Sequence, residues 1–141
     1  MPNLEDAILL AVGAHRGQKD KGGAPYILHP LRVMLKVNTD SERMAAILHD
    51  VVEDTPVTLE NLRNAGYPKP VLEAIDCLTR RKGESYEDFI RRIKPNPIAR
   101  KVKLADLEDN MDLSRISSPQ SKDLERVDKY RKFWTELREL G

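Results

Sequence analysis

Apolar residues return along this chain at intervals of three and four, and no stretch alternates them with period two for long enough to require a strand. That periodicity limits the fold to packed helices and predicts an all-α single domain spanning residues 1–141, a bundle of about eight helices. A first helix runs from Leu4 to about Gln18, with Leu4, Ala7, Ile8, Ala11 and Val12 on one face. The Gly22-Gly23 pair and Pro25 punctuate a loop. A second helix begins near Pro30, and Ser41 caps a third that continues to about Glu53. Thr58, Pro68, Ser85 and Asn96-Pro97 open four more. Ser118-Pro119 opens the last, an amphipathic helix carrying Leu124, Val127, Tyr130, Phe133, Trp134 and Leu137.

Composition narrows the function classes. Lys and Arg number 24 against 23 Asp and Glu, a formal charge of +1, which argues against a nucleic-acid footprint. No apolar run approaches the roughly 18 residues of a membrane span; Gly13 interrupts the longest. The start, Met-Pro-Asn-Leu-Glu-Asp, lacks the positive region of a secretory leader, so a cytoplasmic location is expected. Cys77 is the single cysteine, which excludes an internal disulfide and a multi-cysteine zinc site; it reads as a small core residue.

The segment Met44-Ala45-Ala46-Ile47-Leu48-His49-Asp50-Val51-Val52-Glu53-Asp54 is the most informative. On a continuous helix Glu53, Asp50 and Asp54 stand about 40°, 100° and 140° from His49. The remaining arc is apolar, which directs the polar stripe toward an interior cleft. Three carboxylates there repel one another unless a cation joins them. The stripe is therefore either a metal site or a solvated acidic face. A second stripe places Asp106 and Asn110 on one face of another helix, with Lys103 a turn earlier; helical carboxylates alone are usually solvated. His29, at a helix entry, reads on its own as a capping or packing residue.

Taken together these blocks resemble the metal-binding signature of the HD superfamily, and more closely the hydrolase domain of the RelA/SpoT alarmone enzymes. The resemblance rests on Ala14-His15-Arg16-Gly17-Gln18, Pro25-Tyr26-Ile27-Leu28-His29-Pro30, Leu48-His49-Asp50-Val51-Val52-Glu53-Asp54-Thr55, Val102-Lys103-Leu104-Ala105-Asp106 and Arg126-Val127-Asp128-Lys129-Tyr130. It implies four metal ligands, His29, His49, Asp50 and Asp106, and an acidic pair, Glu53 and Asp54, that orients and deprotonates the attacking water. A ligand set of two imidazoles and two carboxylates suits Mn²⁺ or Fe²⁺, and the family favours Mn²⁺.

The implied reaction, expected of a stand-alone small hydrolase acting on a nucleotide, removes the 3′-pyrophosphate of a guanosine or adenosine alarmone. Lys19 and Lys21 are the expected partners of the substrate phosphates, with Arg126, Arg16 and Lys103 behind them; Asn110 fits near the sugar and Tyr130 along the pocket wall. Asp20-Lys21 stands where long family members carry Arg-Lys, so adenine and guanine alarmones have comparable claims. Leu107 replaces a lysine frequent after the ligand aspartate, so the pocket beside Asp106 is expected to differ. The alternatives are an HD phosphohydrolase of another 2′- or 3′-phosphorylated nucleotide and a non-catalytic, antitoxin-like nucleotide-binding module.

Overall fold

Helix starts are set by side chains that accept the first unpaired backbone N–H groups. A computed structural model describes residues 1–139. Asn3 opens α1 (Leu4–His15) through a reciprocal bond with Asp6. Then come α2 (Leu28–Leu35), α3 (Asp40–Leu48), α4 (Val51–Asp54), α5 (Leu59–Asn64) and α6 (Lys69–Leu78). Ser85 opens α7 (Tyr86–Ile93), Asn96 opens α8 (Pro97–Met111), and α9 (Ser121–Arg138) closes the described chain. There is no strand among the described residues, only an isolated bridge between Lys19 and Pro25.

The bundle wraps α3. Ala45, Ala46, Ile47 and Leu48 are wholly inaccessible, and α1, α2, α6 and α8 pack around them. The alanines let neighbouring backbones approach closely, while Ile75, Val102 and Leu107 fill the space between. Phe133 and Leu137 fasten α9 to this core, so its upper turns hold a fixed position beside α8. Cys77 packs half-buried against the core, and burial pushes its thiol pKa up.

Several expected boundaries move, each for a local reason. Thr39 rather than Ser41 caps α3, because its hydroxyl and Glu42 satisfy one another's backbone N–H groups. Helix α1 stops at His15, where Arg16 turns extended and Gly17 takes φ +87°. Helix α9 starts at Ser121, with the Asp123 carboxylate accepting the Gln120 N–H at 2.8 Å. Leu124 is 55% exposed, so the apolar seam of α9 closes only from Tyr130 onward.

The helix expected to run unbroken to Glu53 divides at His49-Asp50, giving nine helices among the described residues. In a continuous helix the Ala46 carbonyl would accept the Asp50 N–H. Here it accepts the His49 ring Nδ1–H at 2.5 Å, and Asp50 relaxes to φ −96°, ψ −6°. Positions inferred from a continuous wheel therefore do not hold beyond His49. The break turns His49 into the interior and leaves Glu53 and Asp54 exposed on a separate short helix.

Candidate metal centre

Three segments deliver the four candidate ligands: the start of α2 supplies His29, the α3–α4 break His49 and Asp50, and the middle of α8 Asp106. One ligating atom of each lies within 4.8 Å of all the others. Asp106 Oδ1 is 2.8 Å from His29 Nε2 and 3.3 Å from His49 Nε2. Asp50 Oδ2 is 3.2 Å from His49 Nε2 and 3.7 Å from His29 Nε2. Ligands on opposite sides of an ion at about 2.1 Å stand about 4.2 Å apart, so the set encloses a space of metal-ion size.

The outward nitrogens decide the orientation of both rings. His29 Nδ1 lies 2.6 Å from Asp109 Oδ2, and His49 Nδ1 lies 2.5 Å from the Ala46 carbonyl. Both partners only accept, so both Nδ1 atoms carry hydrogen and both Nε2 atoms face inward. An inward lone pair against a carboxylate oxygen is repulsive without a cation. The donor set thus fits a divalent metal, with Tyr26 donating its hydroxyl to Asp50 Oδ2 at 2.5 Å as an additional support.

Without a metal, protons occupy the same nitrogens. Burial alone would lower the His29 pKa, but hydrogen bonds to Asp106 and Asp109 and the charges of Asp106 and Asp50 raise it to about 10. His49 shifts upward too, its burial outweighed by Asp50 and Asp106. A raised histidine pKa stabilises the folded state fully below about pH 6.5 and loses that stabilisation as pH climbs through the folded value. The melting temperature of EDTA-treated protein is therefore expected to fall between about pH 7 and pH 10, while that of metal-loaded protein holds. Metal uptake near neutrality should release protons, read as a dependence of the calorimetric heat on the buffer. A flat melting curve with no proton release would show that the imidazoles are already neutral.

Asp106 is balanced from behind. Lys103 is buried, its Nζ 2.9 Å from Asp106 Oδ2 and 5.4 Å and 5.2 Å from the ring centres of Tyr86 and Phe89. Burial opposes charge on both partners, yet their mutual attraction holds Asp106 well below the usual carboxylate range and Lys103 above the usual amine range. Glu53 and Asp54 are solvent-facing as whole side chains, but their carboxyl groups are partly desolvated by neighbouring atoms; that and the charges of Asp50 and Asp54 displace Glu53 upward, and desolvation and Asp50 raise Asp54.

In front of the ligands opens a cleft of about 390 Å³. Lys19, Lys21, Asn110, Arg126 and Tyr130, drawn from the α1–α2 loop, α8 and α9, all line it, beside His29, Asp50 and Asp106. Glu53 and Asp54 are not part of this lining. The loop holds its shape through Asp20, whose Oδ1 accepts the N–H groups of Gly22 and Ala24 at 2.9 Å each.

No family model matches the chain. The bifunctional (p)ppGpp synthase/hydrolase SpoT of Escherichia coli K12 is 32% identical over 123 residues, covering 77% of this chain and 17% of that protein. A guanosine-3′,5′-bis(diphosphate) 3′-pyrophosphohydrolase of Vibrio cholerae is 34% identical over 110 residues, covering 75% of this chain and 15% of the relative. A solved structure of a metazoan ortholog of SpoT, described as hydrolysing ppGpp, matches with a TM-score of 0.76 at 26% identity, over 97% of this chain and 85% of that one. The chain belongs to the RelA/SpoT family and matches its HD-type domain. It spans about a sixth of the length of the two curated relatives.

Within this RelA/SpoT-type domain some expected roles shift. Lys103 faces Asp106 inside the protein and Arg16 is exposed, and neither lines the cleft. Leu107 is wholly buried in the core, so the departure from the family's lysine does not reshape the cleft wall. Sequence reasoning passed over Arg32 and Arg115, which line the cleft, and Asp109, which joins them to His29. Arg32 lies three residues after His29 and Asp109 three after Asp106, spacings that put each pair on one helix face. That spacing was the available signal. It gains meaning only once α2 and α8 are known to face each other. Gln18 is a further support: its Oε1 is 2.8 Å from His15 Nδ1 and its Nε2 donates to the Asp54 carbonyl at 3.1 Å, tying α4 to the end of α1.

None of the helices described is long and apolar enough to cross a membrane.

Proposed function

We propose that residues 1–141 act as one cytoplasmic hydrolase domain that removes the 3′-pyrophosphate of a guanosine or adenosine alarmone, leaving the 5′-di- or triphosphate nucleotide. The observation that carries this reading is the pair of imidazoles whose Nε2 atoms converge with two carboxylate oxygens, His29, Asp50 and Asp106 of that set lining a cleft that also presents Lys19, Lys21 and Arg126. The activities named for the SpoT relatives support the same chemistry. His29, His49, Asp50 and Asp106 would hold the divalent ion, Mn²⁺ in the first place and Fe²⁺ in the second. Bound there, it supplies Lewis acidity toward water and phosphoryl oxygens.

The protein's own groups do the rest. Lys19, Lys21 and Arg126 offset the negative charge of the phosphates, which the carboxylates would otherwise repel. Asn110 faces the ribose and Tyr130 forms the wall along the nucleoside. Glu53, whose raised pKa makes it a better proton acceptor than an ordinary carboxylate, takes a proton from the attacking water, and Asp54 assists. Water adds to the phosphorus on the 3′ oxygen, the bond between that oxygen and phosphorus breaks, and the departing oxygen regains a proton.

The test is a side-by-side turnover assay of guanosine and adenosine alarmones with added Mn²⁺ or Fe²⁺. Intact pyrophosphate is the expected product. Orthophosphate alone would assign the site to a different phosphorylated nucleotide, and binding without turnover would make the chain a nucleotide-binding module.

A further inference from the structure

Helices α2 and α8 meet along a ladder of charged side chains. Asp106 and Asp109 project from α8 on one face, and His29 and Arg32 from α2 on the facing one. Each is three residues from its neighbour, so each stands one turn above it. Asp106 Oδ1 lies 2.8 Å from the inner nitrogen of His29, and Asp109 Oδ2 lies 2.6 Å from the outer one. Asp109 is 2% exposed and also grips Arg32 with both oxygens, at 2.7 Å to Nε and 3.1 Å to Nη2. Arg115 approaches the same carboxylate, with Nη1 3.6 Å from Oδ1 and Nη2 donating to the Asp109 backbone carbonyl at 3.2 Å.

Two features of this contact exceed what is needed to clip two helices together. The first concerns His29. A neutral imidazole has one N–H, and whichever acceptor takes it fixes which nitrogen offers a lone pair. Asp109 takes it at Nδ1, which leaves Nε2 as the inward donor. The second concerns Arg32. Its Nε and Nη2 edge is consumed by Asp109, while Nη1 makes no hydrogen bond among the described residues and the side chain lines the cleft. A guanidinium held by one edge presents the other in a fixed direction, as recognition of a phosphate requires.

We propose that Asp109 is a positioning residue that sets both halves of the site at once, aiming His29 Nε2 at the metal and presenting the Arg32 guanidinium to the pyrophosphate group of the substrate. Arg32 then joins Lys19, Lys21 and Arg126 as a phosphate-binding residue. The metal half stands on the donor geometry alone; the phosphate half rests on the hydrolase reading above.

The substitution Asp109→Asn tests this because the amide keeps the shape of the carboxylate but carries no charge and has one acceptor oxygen for three donors, His29 Nδ1–H and Arg32 Nε–H and Nη2–H. Whichever way the amide turns, its NH₂ opposes at least one of these donors, and the negative charge that holds His29 Nδ1–H and raises the basicity of Nε2 is gone. The measurements are the dissociation constant of Mn²⁺, by titration with detection of free Mn²⁺, and that of inorganic pyrophosphate with Mn²⁺ kept saturating. Asp109→Asn is expected to weaken Mn²⁺ about 10- to 100-fold, the usual consequence of losing a group that orients a ligand histidine. Arg32→Met breaks the same link between helices but leaves the His29 contact; it should bind Mn²⁺ within about threefold of the parent and pyrophosphate about tenfold more weakly or worse. Parent-like Mn²⁺ binding by Asp109→Asn overturns the proposal, as does an equal loss of Mn²⁺ affinity in Arg32→Met, since both would reduce Asp109 to a helix clip. Should Asp109→Asn fail to fold by circular dichroism, Asp109→Glu retains the charge and displaces it by one methylene. It is expected to weaken Mn²⁺ about tenfold, and parent-like binding by it overturns the proposal equally. If the parent chain releases no pyrophosphate from any alarmone, the reaction reading fails while the Mn²⁺ comparison still decides the role of Asp109.

Discussion

Replacing Asp106 with alanine is expected to reduce turnover to background, empty the purified protein of metal and lower its stability by about 3–5 kcal/mol in the presence of EDTA. The first two effects follow from position: among the described residues Asp106 Oδ1 is the one carboxylate oxygen within 3.3 Å of both inward imidazole nitrogens. The third follows from what stands behind it. Lys103 is buried against Tyr86 and Phe89, and its ion pair is with Asp106 Oδ2. Truncating the carboxylate strands a buried ammonium, which costs far more than the pair contributed relative to an apolar replacement. The double variant Lys103→Met/Asp106→Ala separates the two consequences. It should regain most of the lost stability in urea unfolding, because methionine fills the same slot without a charge, and should remain metal-free by elemental analysis. Metal retained by Asp106→Ala, or no recovery in the double variant, would contradict the assignment of both side chains.

Glu53→Gln is expected to lower kcat by about 10²- to 10⁴-fold while leaving Mn²⁺ affinity within about threefold of the parent. Glu53 sits on α4, beyond the break that follows His49, and is not among the four converging ligands. Its raised pKa, from partial desolvation of the carboxyl and from the charges of Asp50 and Asp54, fits a proton acceptor better than a structural carboxylate. The sign is direct: only the ionised form accepts a proton, so the rate falls as pH drops through this pKa, above the ordinary carboxylate range, and Glu53→Gln removes that limb. A variant retaining a third or more of the parental kcat would remove Glu53 from the reaction. A variant that lost its metal would make Glu53 part of the ion's support.

Much of this was legible from local pattern. The three-and-four periodicity, the capping residues Thr58, Ser85 and Asn96, and the apolar run Ala45–Leu48 each act over a turn or two of helix, and the structure shows them in those roles. His49-Asp50 and Asp106 were visible as polar positions on apolar helices, though not as neighbours. The break after Leu48 was hidden, because it depends on a side-chain bond from His49 to the Ala46 carbonyl that competes with the helix for the same acceptor. Lys103 was misread for a related reason. A lysine one turn before an aspartate has the same spacing on a solvated face as in an interior, and only the covering rings of Tyr86 and Phe89 distinguish them.

The residue pattern alone determined that the chain is helical and which side chains carry charge on otherwise apolar faces, and its motifs carried the resemblance to the RelA/SpoT family. Tertiary structure decided which faces meet. That step brought His29 to Asp106 across 77 residues of chain and set Asp109 between His29 and Arg32. The physical reason is range: helix periodicity and capping are settled over a few residues, whereas ligand convergence and charge compensation are settled by packing between segments distant in sequence.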